Sequence, residues 1–296
     1  MDEDMEALVR IMVTGAEGYL GGVVTQRLLR RGHEVVSIDA GYFANLPGPK
    51  SSSRDVRDLD GADLDGIDGI VHLAALSNDA CSELHQDVCV DVNEVHSVRL
   101  AHMARQHGIA RFVFASTCSV YGAGGGRPAI ESDTVNPLSV YAVTKHRAEQ
   151  RISALAGDGF TPVILRFATL FGPSPNMRTD LVVNRMAASA VTRGRIELTG
   201  AATNYRPILH VRDAAADVEA ALAGDLSRTA RCFNVAAAHG NIQIAQIAQA
   251  VQDVIGGVDL EVVDTHHDPR SYAVDTALLD KTGLFGHSPT QMLLNY

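Results

Sequence analysis

The chain has 296 residues, 46% of them hydrophobic and 20% charged, which fits a folded globular protein and excludes a disordered one. Its formal charge of −10 argues against a nucleic-acid footprint or an anionic membrane surface. Four scattered cysteines, Cys81, Cys89, Cys118 and Cys232, form no Cys-x-x-Cys pair, which argues against a disulfide framework or a zinc site.

Val9 to Val13 is an apolar run followed by Gly15-x-x-Gly18-x-x-Gly21. An amphipathic pattern through Val23, Val24, Leu28 and Leu29 then ends at Gly32, a residue suited to closing a helix. Glu34 to Ile38 reads as a second strand that runs into Asp39. Each part has a physical role. Gly15 permits a tight turn, Gly18 lets the backbone approach a pyrophosphate, and Gly21 allows close helix packing. The helix start at Tyr19 and Leu20 receives phosphate charge. Asp39 follows the first glycine at close to the ~20-residue offset of a ribose-binding acid. It would accept hydrogen bonds from both adenosine ribose hydroxyls and repel a 2′-phosphate, so NAD is expected over NADP.

Gly69 to Ala75 is an apolar strand that ends in small residues, Leu73, Ala74 and Ala75, where a cofactor can lie close. A long helix is predicted from about Asp91 to His107, and Arg111 to Ser116 is another apolar strand. Strands alternating with helices imply a parallel sheet with right-handed crossovers. Thr117 falls just past a strand's C-terminal end, where open α/β sheets bind ligands. Tyr141 and Lys145 are one helical turn apart and share a face. A phenol titrates near pH ~10 alone, and a nearby ammonium favours its ionised form, which makes the pair a proton acceptor for a sugar or alcohol hydroxyl.

Gly15/Gly18/Gly21, Asp39, the His72-Leu73-Ala74-Ala75 strand end, Ser116 to Gly122 and Tyr141/Lys145 occur in order. Over about residues 9 to 285 the chain resembles an extended short-chain dehydrogenase/reductase of the NAD-dependent nucleotide-sugar epimerase/dehydratase family. The resemblance implies an α/β fold: a Rossmann-type doubly wound parallel sheet with a smaller C-terminal α/β substrate lobe. The expected division is 8–172 with a return segment at about 208–236 for the NAD domain. Residues 173–207 and 237–296 would form the nucleotide-sugar lobe. The resemblance also places Asp55 and Val56 beside the adenine, has Thr117 bind the reacting hydroxyl, and implies a homodimer.

Sugar 4,6-dehydratases of the family follow that hydroxyl residue with Asp-Glu. Here Cys118 and Ser119 stand there, which counts against standard 4,6-dehydration and leaves Cys118 as a candidate acid in an unusual one. The expected reaction is a 4-epimerisation through a transient 4-keto sugar. The alternatives are dehydration, decarboxylation or 4-keto reduction after the same C4 oxidation, and, from another class, a non-catalytic NAD-sensing regulator. Thr117, Tyr141 and Lys145 together favour the enzyme.

In the second half, Thr161 to Phe167 reads as a strand, Asn176 to Asn184 as a helix start, and Ile196 to Gly200 as a short strand. Arg178 and Asn184 are candidate ligand contacts. Arg206 lies in a segment resembling the family's diphosphate-binding stretch, with Pro207 where Asp is usual, and Arg270 resembles a second diphosphate-binding arginine. Ile244, Ile247, Ala248, Val251, Val254 and Ile255 mark a core helix. His266-His267-Asp268 is the densest cluster among twelve histidines, in an expected loop, and no metal is expected there. Met1-Asp2-Glu3-Asp4 does not read as a signal peptide and no apolar stretch reaches the roughly 18 residues that span a bilayer, so a cytoplasmic protein is expected.

Overall fold

A computed structural model describes residues 9–41, 53–77, 79–124, 126–157, 159–199, 202–224, 232–264 and 270–283. The first strand, β1 (Arg10–Thr14), the helix α1 (Tyr19–Arg30) and β2 (Glu34–Ile38) follow the glycine and periodicity pattern. Next come β3 (Gly69–His72), α2 (Asp79–Leu84), α3 (Gln86–Val90), α4 (Ser97–Gln106), β4 (Arg111–Thr117) and α5 (Val140–Ser153). The second half holds β5 (Thr161–Phe167), β6 (Thr169–Phe171), α6 (Val182–Arg193), β7 (Arg195–Thr199), β8 (Tyr205–His210) and α7 (Val211–Ala223). It continues through β9 (Cys232–Val235), β10 (Asn241–Gln243), α8 (Ile244–Ile255), β11 (Asp259–Asp264) and α9 (Ala277–Lys281).

Six strands form one sheet in the order β2-β1-β3-β4-β5-β9, and every pairing is parallel. The chain order reverses beside β1, which creates the crevice where such sheets take their ligands. Side-chain alternation decides which face each residue serves. Ile11, Val13, Val71, Val113, Val163 and Leu165 pack on one face against Val24 and Leu28 of α1 and Ala214 and Val218 of α7. Met12, Ile70, Phe112, Phe114 and Ile164 pack on the other against Leu100 and Ala104 of α4 and Ala148 and Ile152 of α5. Both faces are covered, so these strands read as continuous apolar runs. Among the described residues β9 pairs with β5 only from Ile164 onward, so none of them is a strand partner on that side of Pro162, which suits a residue without an amide proton.

A third cluster joins Phe171, Val183, Met186, Ile196, Ile208, Ile244, Ile247 and Val251. It packs α6 and α8 around the two-stranded sheet β7–β11 and the three-stranded sheet β10-β8-β6. Three expected elements differ. Residues Asp91–His96 form a π-helical turn ahead of α4, where the Ser97 hydroxyl also donates to the Val92 carbonyl and His96 Nδ1 bonds the Asp91 carbonyl. The helix expected from Asn176 starts at Val182, because Arg178 is held by Asp180 and Ser77 and Leu181 is extended. The strand expected to reach Ala75 ends at His72. The histidine cluster at 266–268 lies outside the described residues. Among the described residues no helix is long and apolar enough to cross a membrane.

Candidate active site

Because the sheet is parallel, residues that follow β1, β2, β3 and β4 gather along one edge. After β1, Gly15 adopts φ +71° and its amide donates to the Ile38 carbonyl at 2.8 Å, which draws the turn onto the end of β2. A Cβ at Gly21 would lie 1.9 Å from the Gly15 carbonyl oxygen, so the helix starts in contact with the turn. A Cβ at Gly18 would meet only that same backbone, at 3.0 Å, and otherwise faces open space. Gly18 caps α1 without a side-chain hydrogen bond, so the first-turn amides at Tyr19 and Leu20 have no side-chain acceptor from the cap.

Asp39, just after β2, accepts from the Glu17 amide at 3.0 Å and the Gly41 amide at 3.1 Å. Those bonds fix its carboxylate beside the glycine turn and leave each oxygen a further lone pair. Leu73, Ala74 and Ala75 line the end of β3 half-buried, and the Ala74 amide would be 2.7 Å from a Cβ at Gly15. This narrow, glycine-lined cradle with a fixed carboxylate fits a dinucleotide. Asp55 is bidentate with Arg57, which holds its carboxyl below the usual range, and Val56 is packed in the core. Both side chains of the expected adenine contact therefore have protein partners.

At the tip of β4, Thr117 caps a short turn over Cys118–Tyr121. Its oxygen accepts from the Ser119 amide at 3.1 Å and pairs with the Ser119 hydroxyl at 2.9 Å. Ser139 caps α5, and the first turn of that helix delivers Tyr141, whose phenol comes within the influence of the Thr117 hydroxyl. Burial pushes the phenol well above its ordinary value, opposed by the Arg178 cation and the Thr117 hydroxyl, while Asp79 and Tyr272 push the same way as burial.

Lys145 is 2% exposed, with Nζ 4.3 Å from the centre of the Phe114 ring. Burial lowers its pKa to about 7, and Glu149 and Cys89 oppose the fall. Arg178 is a cation that favours the ionised phenol, and Lys145 lies over Phe114 in the field of Glu149.

Two further expectations change. Cys118 is fully buried in the core, its thiol donates to the Arg166 carbonyl at 3.0 Å, and burial drives its pKa upward. It presents no acid to a ligand, so the candidate acid role is withdrawn. Asn184 is 7% exposed and both its amide protons are used, on the Tyr19 hydroxyl at 3.1 Å and the Arg178 carbonyl at 2.9 Å. Its oxygen accepts from the Gly172 amide at 3.1 Å, so this side chain braces the site and does not face a substrate. The Tyr19 hydroxyl, donating to the Gly172 carbonyl at 2.6 Å, belongs to the same brace.

Arg206 donates to the Tyr205 carbonyl at 2.9 Å and to the Arg270 carbonyl, with its guanidinium 5.5 Å from the centre of the Tyr272 ring. Arg270 pairs with Asp79 at 2.5 Å. Arg178 donates to the Ser77 hydroxyl at 2.9 Å and pairs with Asp180.

Sequence reasoning missed Asn93, which sits in the π-helical turn fully buried. Its amide exchanges two hydrogen bonds with the Leu76 backbone, at 2.8 and 3.0 Å, and also reaches Cys89 and Thr144. Sequence reasoning also missed the pair Glu149–Arg166, although Glu149 continues the four-residue spacing of Tyr141 and Lys145. Among the described residues no group of three or more His, Cys, Asp or Glu is placed to hold a metal ion.

The chain is 28% identical over 273 residues to a Bacillus subtilis protein named an uncharacterized UDP-glucose epimerase, covering 84% of this chain and 83% of that one. It is 28% identical over 292 residues to a dTDP-glucose 4,6-dehydratase of Streptomyces griseus, covering 92% and 87%. Among solved structures it superposes on MoeE5 in complex with UDP-glucose and NAD with a TM-score of 0.82 at 26% identity, covering 96% and 95%. The family model described as the NAD dependent epimerase/dehydratase family matches residues 11–236, and the chain belongs to that family.

Proposed function

We propose that this protein is a nucleotide-diphosphate-sugar 4-epimerase that works with bound NAD through a transient 4-keto sugar. The observation that carries the reading is the placement of the Tyr141 phenol within reach of the Thr117 hydroxyl at the tip of β4, one helical turn from a buried lysine. NAD, when bound, supplies reversible oxidation of the sugar carbinol at C4. Gly15, Gly18, Gly21 and the start of α1 would hold its pyrophosphate, Asp39 its adenosine ribose, and Lys145 its nicotinamide ribose.

Thr117 orients the C4 hydroxyl toward Tyr141, and the phenol oxygen takes the proton as the carbonyl forms. Arg178 favours the ionised phenol through its charge. After the keto sugar turns over in the site, C4 presents its opposite face for reduction, and the same phenol returns the proton to the C4 oxygen. Arg206 and Arg270 would anchor the diphosphate, so remote binding energy positions the sugar. The division into an NAD domain and a lobe formed by 173–207 and 237–296 belongs to this reading. So does a homodimer through the α4–α5 face.

The absent Asp-Glu pair, with a core cysteine in its first position, favours epimerisation over dehydration. The test is incubation of the purified protein with a panel of UDP-, dTDP-, GDP- and CDP-sugars. Unchanged product mass, inverted C4 and no accumulation of NADH are expected. A product lighter by one water, or heavier by two hydrogens, would replace the epimerase reading with dehydration or reduction.

A further inference from the structure

Two walls stand beside Tyr141. One is the N-terminus of α5, whose first turn carries it. The other is a strap, residues 270–274, whose Tyr272 acts on the Tyr141 phenol. The strap is pinned along its length: the Gly124 amide donates to the Ser271 carbonyl at 2.6 Å, and the Ser271 hydroxyl accepts from the Tyr205 amide at 3.1 Å. The Val274 backbone exchanges two bonds of 2.9 Å with the Asn241 amide. Gly124 has to be glycine for this approach, since a Cβ there would stand 2.8 Å from the Ser271 carbonyl oxygen.

One carboxylate touches both walls. Asp79 Oδ1 accepts from the Ser139 hydroxyl at 2.7 Å, and Asp79 Oδ2 carries the Arg270 guanidinium at 2.5 Å. Ser139 is the cap of α5, two residues before Tyr141, and the same oxygen also accepts from the Ala142 amide. From α2, Glu83 adds a second carboxylate at this helix start by accepting the Val140 amide at 3.1 Å. Negative charge at a helix N-terminus is stabilising, so this end of α5 is where a shared carboxylate is best tolerated. Arg270 in turn presents its carbonyl to Arg206 and Asn204, which extends the connection into β8.

We propose that Asp79 is a positioning residue for the reaction, a latch that ties Arg270 of the strap to Ser139 of the catalytic helix and so holds the two walls in register around Tyr141. It touches neither reacting atom. Its effect passes through Ser139 to the helix that aims the phenol, and through Arg270 to the strap that closes the substrate side. Asp79 is also one of the groups acting on the phenol, alongside Arg178, Thr117 and Tyr272. The inference rests on Tyr141 being the base. Its structural half, the latch itself, can be read without any substrate.

The experiment compares the full chain with bound NAD as wild type, Asp79→Asn, Arg270→Gln and the double variant. Two readouts are used: amide hydrogen exchange across residues 271–274, and turnover on whichever nucleotide sugar the wild type converts. Asp79→Asn keeps an acceptor for Ser139 while removing the negative charge that pairs with Arg270, so the helix cap survives. Exchange in the strap is expected to quicken about threefold to tenfold and turnover to fall by a similar factor, with the double variant no worse than the worse single one. Strap exchange unchanged by Asp79→Asn, or single effects that multiply in the double variant, would overturn the latch. A faster strap with unaltered turnover would overturn the positioning role. A wild type that converts no sugar would instead count against the epimerase reading, and the exchange measurement would still decide the latch.

Discussion

Glu149 and Arg166 form a buried ion pair directly beneath the tip of β4, with side chains 5% and 7% exposed. The guanidinium reaches the carboxylate at 2.9 to 3.3 Å through Nε and Nη2, and its Nη1 donates to the Tyr121 hydroxyl at 2.8 Å. Ser116 and His146 complete the shell around Glu149, and Asn234 and Glu131 extend it beyond Tyr121. The network connects α5 to β4, so it sets the spacing of Tyr141 from Thr117. A carboxylate and a guanidinium buried together tolerate the loss of one partner poorly, because the other is left charged and unpaired.

Glu149→Gln and Arg166→Leu are each expected to cost about 3–5 kcal/mol of stability in urea unfolding. The pH dependence has a definite sign. Despite burial, hydrogen bonds from His146, Arg166 and Ser116 and the Arg166 charge hold the Glu149 carboxyl below the ordinary glutamate range. The folded form therefore binds this proton less readily than the unfolded chain. The stabilisation is present above about pH 4.3 and is lost as the pH falls through the folded value. Unfolding curves that show the same loss in both variants at neutral and acid pH would refute the assignment.

Much of this was legible before the structure. The glycine spacing, the apolar alternation of β1 and the acid after β2 are local patterns, and local patterns specify a strand–turn–helix–strand unit in this sequence. What was illegible depended on direction or distance. Cys118 follows Thr117 in the chain but turns into the core, and residue type alone does not say which way a side chain points at a strand end. Asn184 is polar and near the site, yet its amide protons are taken by Tyr19 and Arg178. Asp79 and Arg270 meet across 191 residues, a separation that no spacing rule reaches. The π-helical turn that places Asn93 departs from the 3.6-residue repeat, which apolar periodicity does not register.

Tyr141→Phe keeps the ring that packs in the cleft and removes only the phenol oxygen. Turnover is expected to fall by at least ~100-fold, the scale of a lost general base, while NAD binding is retained. Arg178→Gln removes the cation that favours the ionised phenol. The phenol pKa then rises further, so the limb of the pH–rate profile that requires its ionised form shifts to higher pH. A profile unmoved by Arg178→Gln would remove that cation from the mechanism.

Asp39→Ala removes a carboxylate held beside the glycine turn by the Glu17 and Gly41 amides. The ribose hydroxyls lose their acceptor, and a 2′-phosphate loses its repulsion. NAD affinity is expected to drop about tenfold or more relative to NADP, since one charge-assisted hydrogen bond is worth about 1.5–3 kcal/mol. Paired titrations of the two dinucleotides measure the ratio directly, and an unaltered ratio would contradict the NAD preference.

Lys145 offers a prediction in which stability and activity move in opposite directions. Its ammonium is buried against Phe114, and burial draws its pKa down from 10.5 to about 7. Between those two values the unfolded chain holds a proton that the folded protein gives up. Stability contributed by this position therefore rises with pH from about 7 upward, and below about 7 the folded state bears the full cost of a desolvated charge. Lys145→Met has a similar length and no charge to desolvate. It is expected to melt higher than the parent, with the gain larger at pH 6 than at pH 9, and at the same time to lose most of its turnover because nothing then holds the nicotinamide ribose. Melting curves at the two pH values, beside NAD titrations, separate these effects. A variant that melts lower than the parent at pH 6 would show that the ammonium stabilises the folded state, and the burial argument would fail.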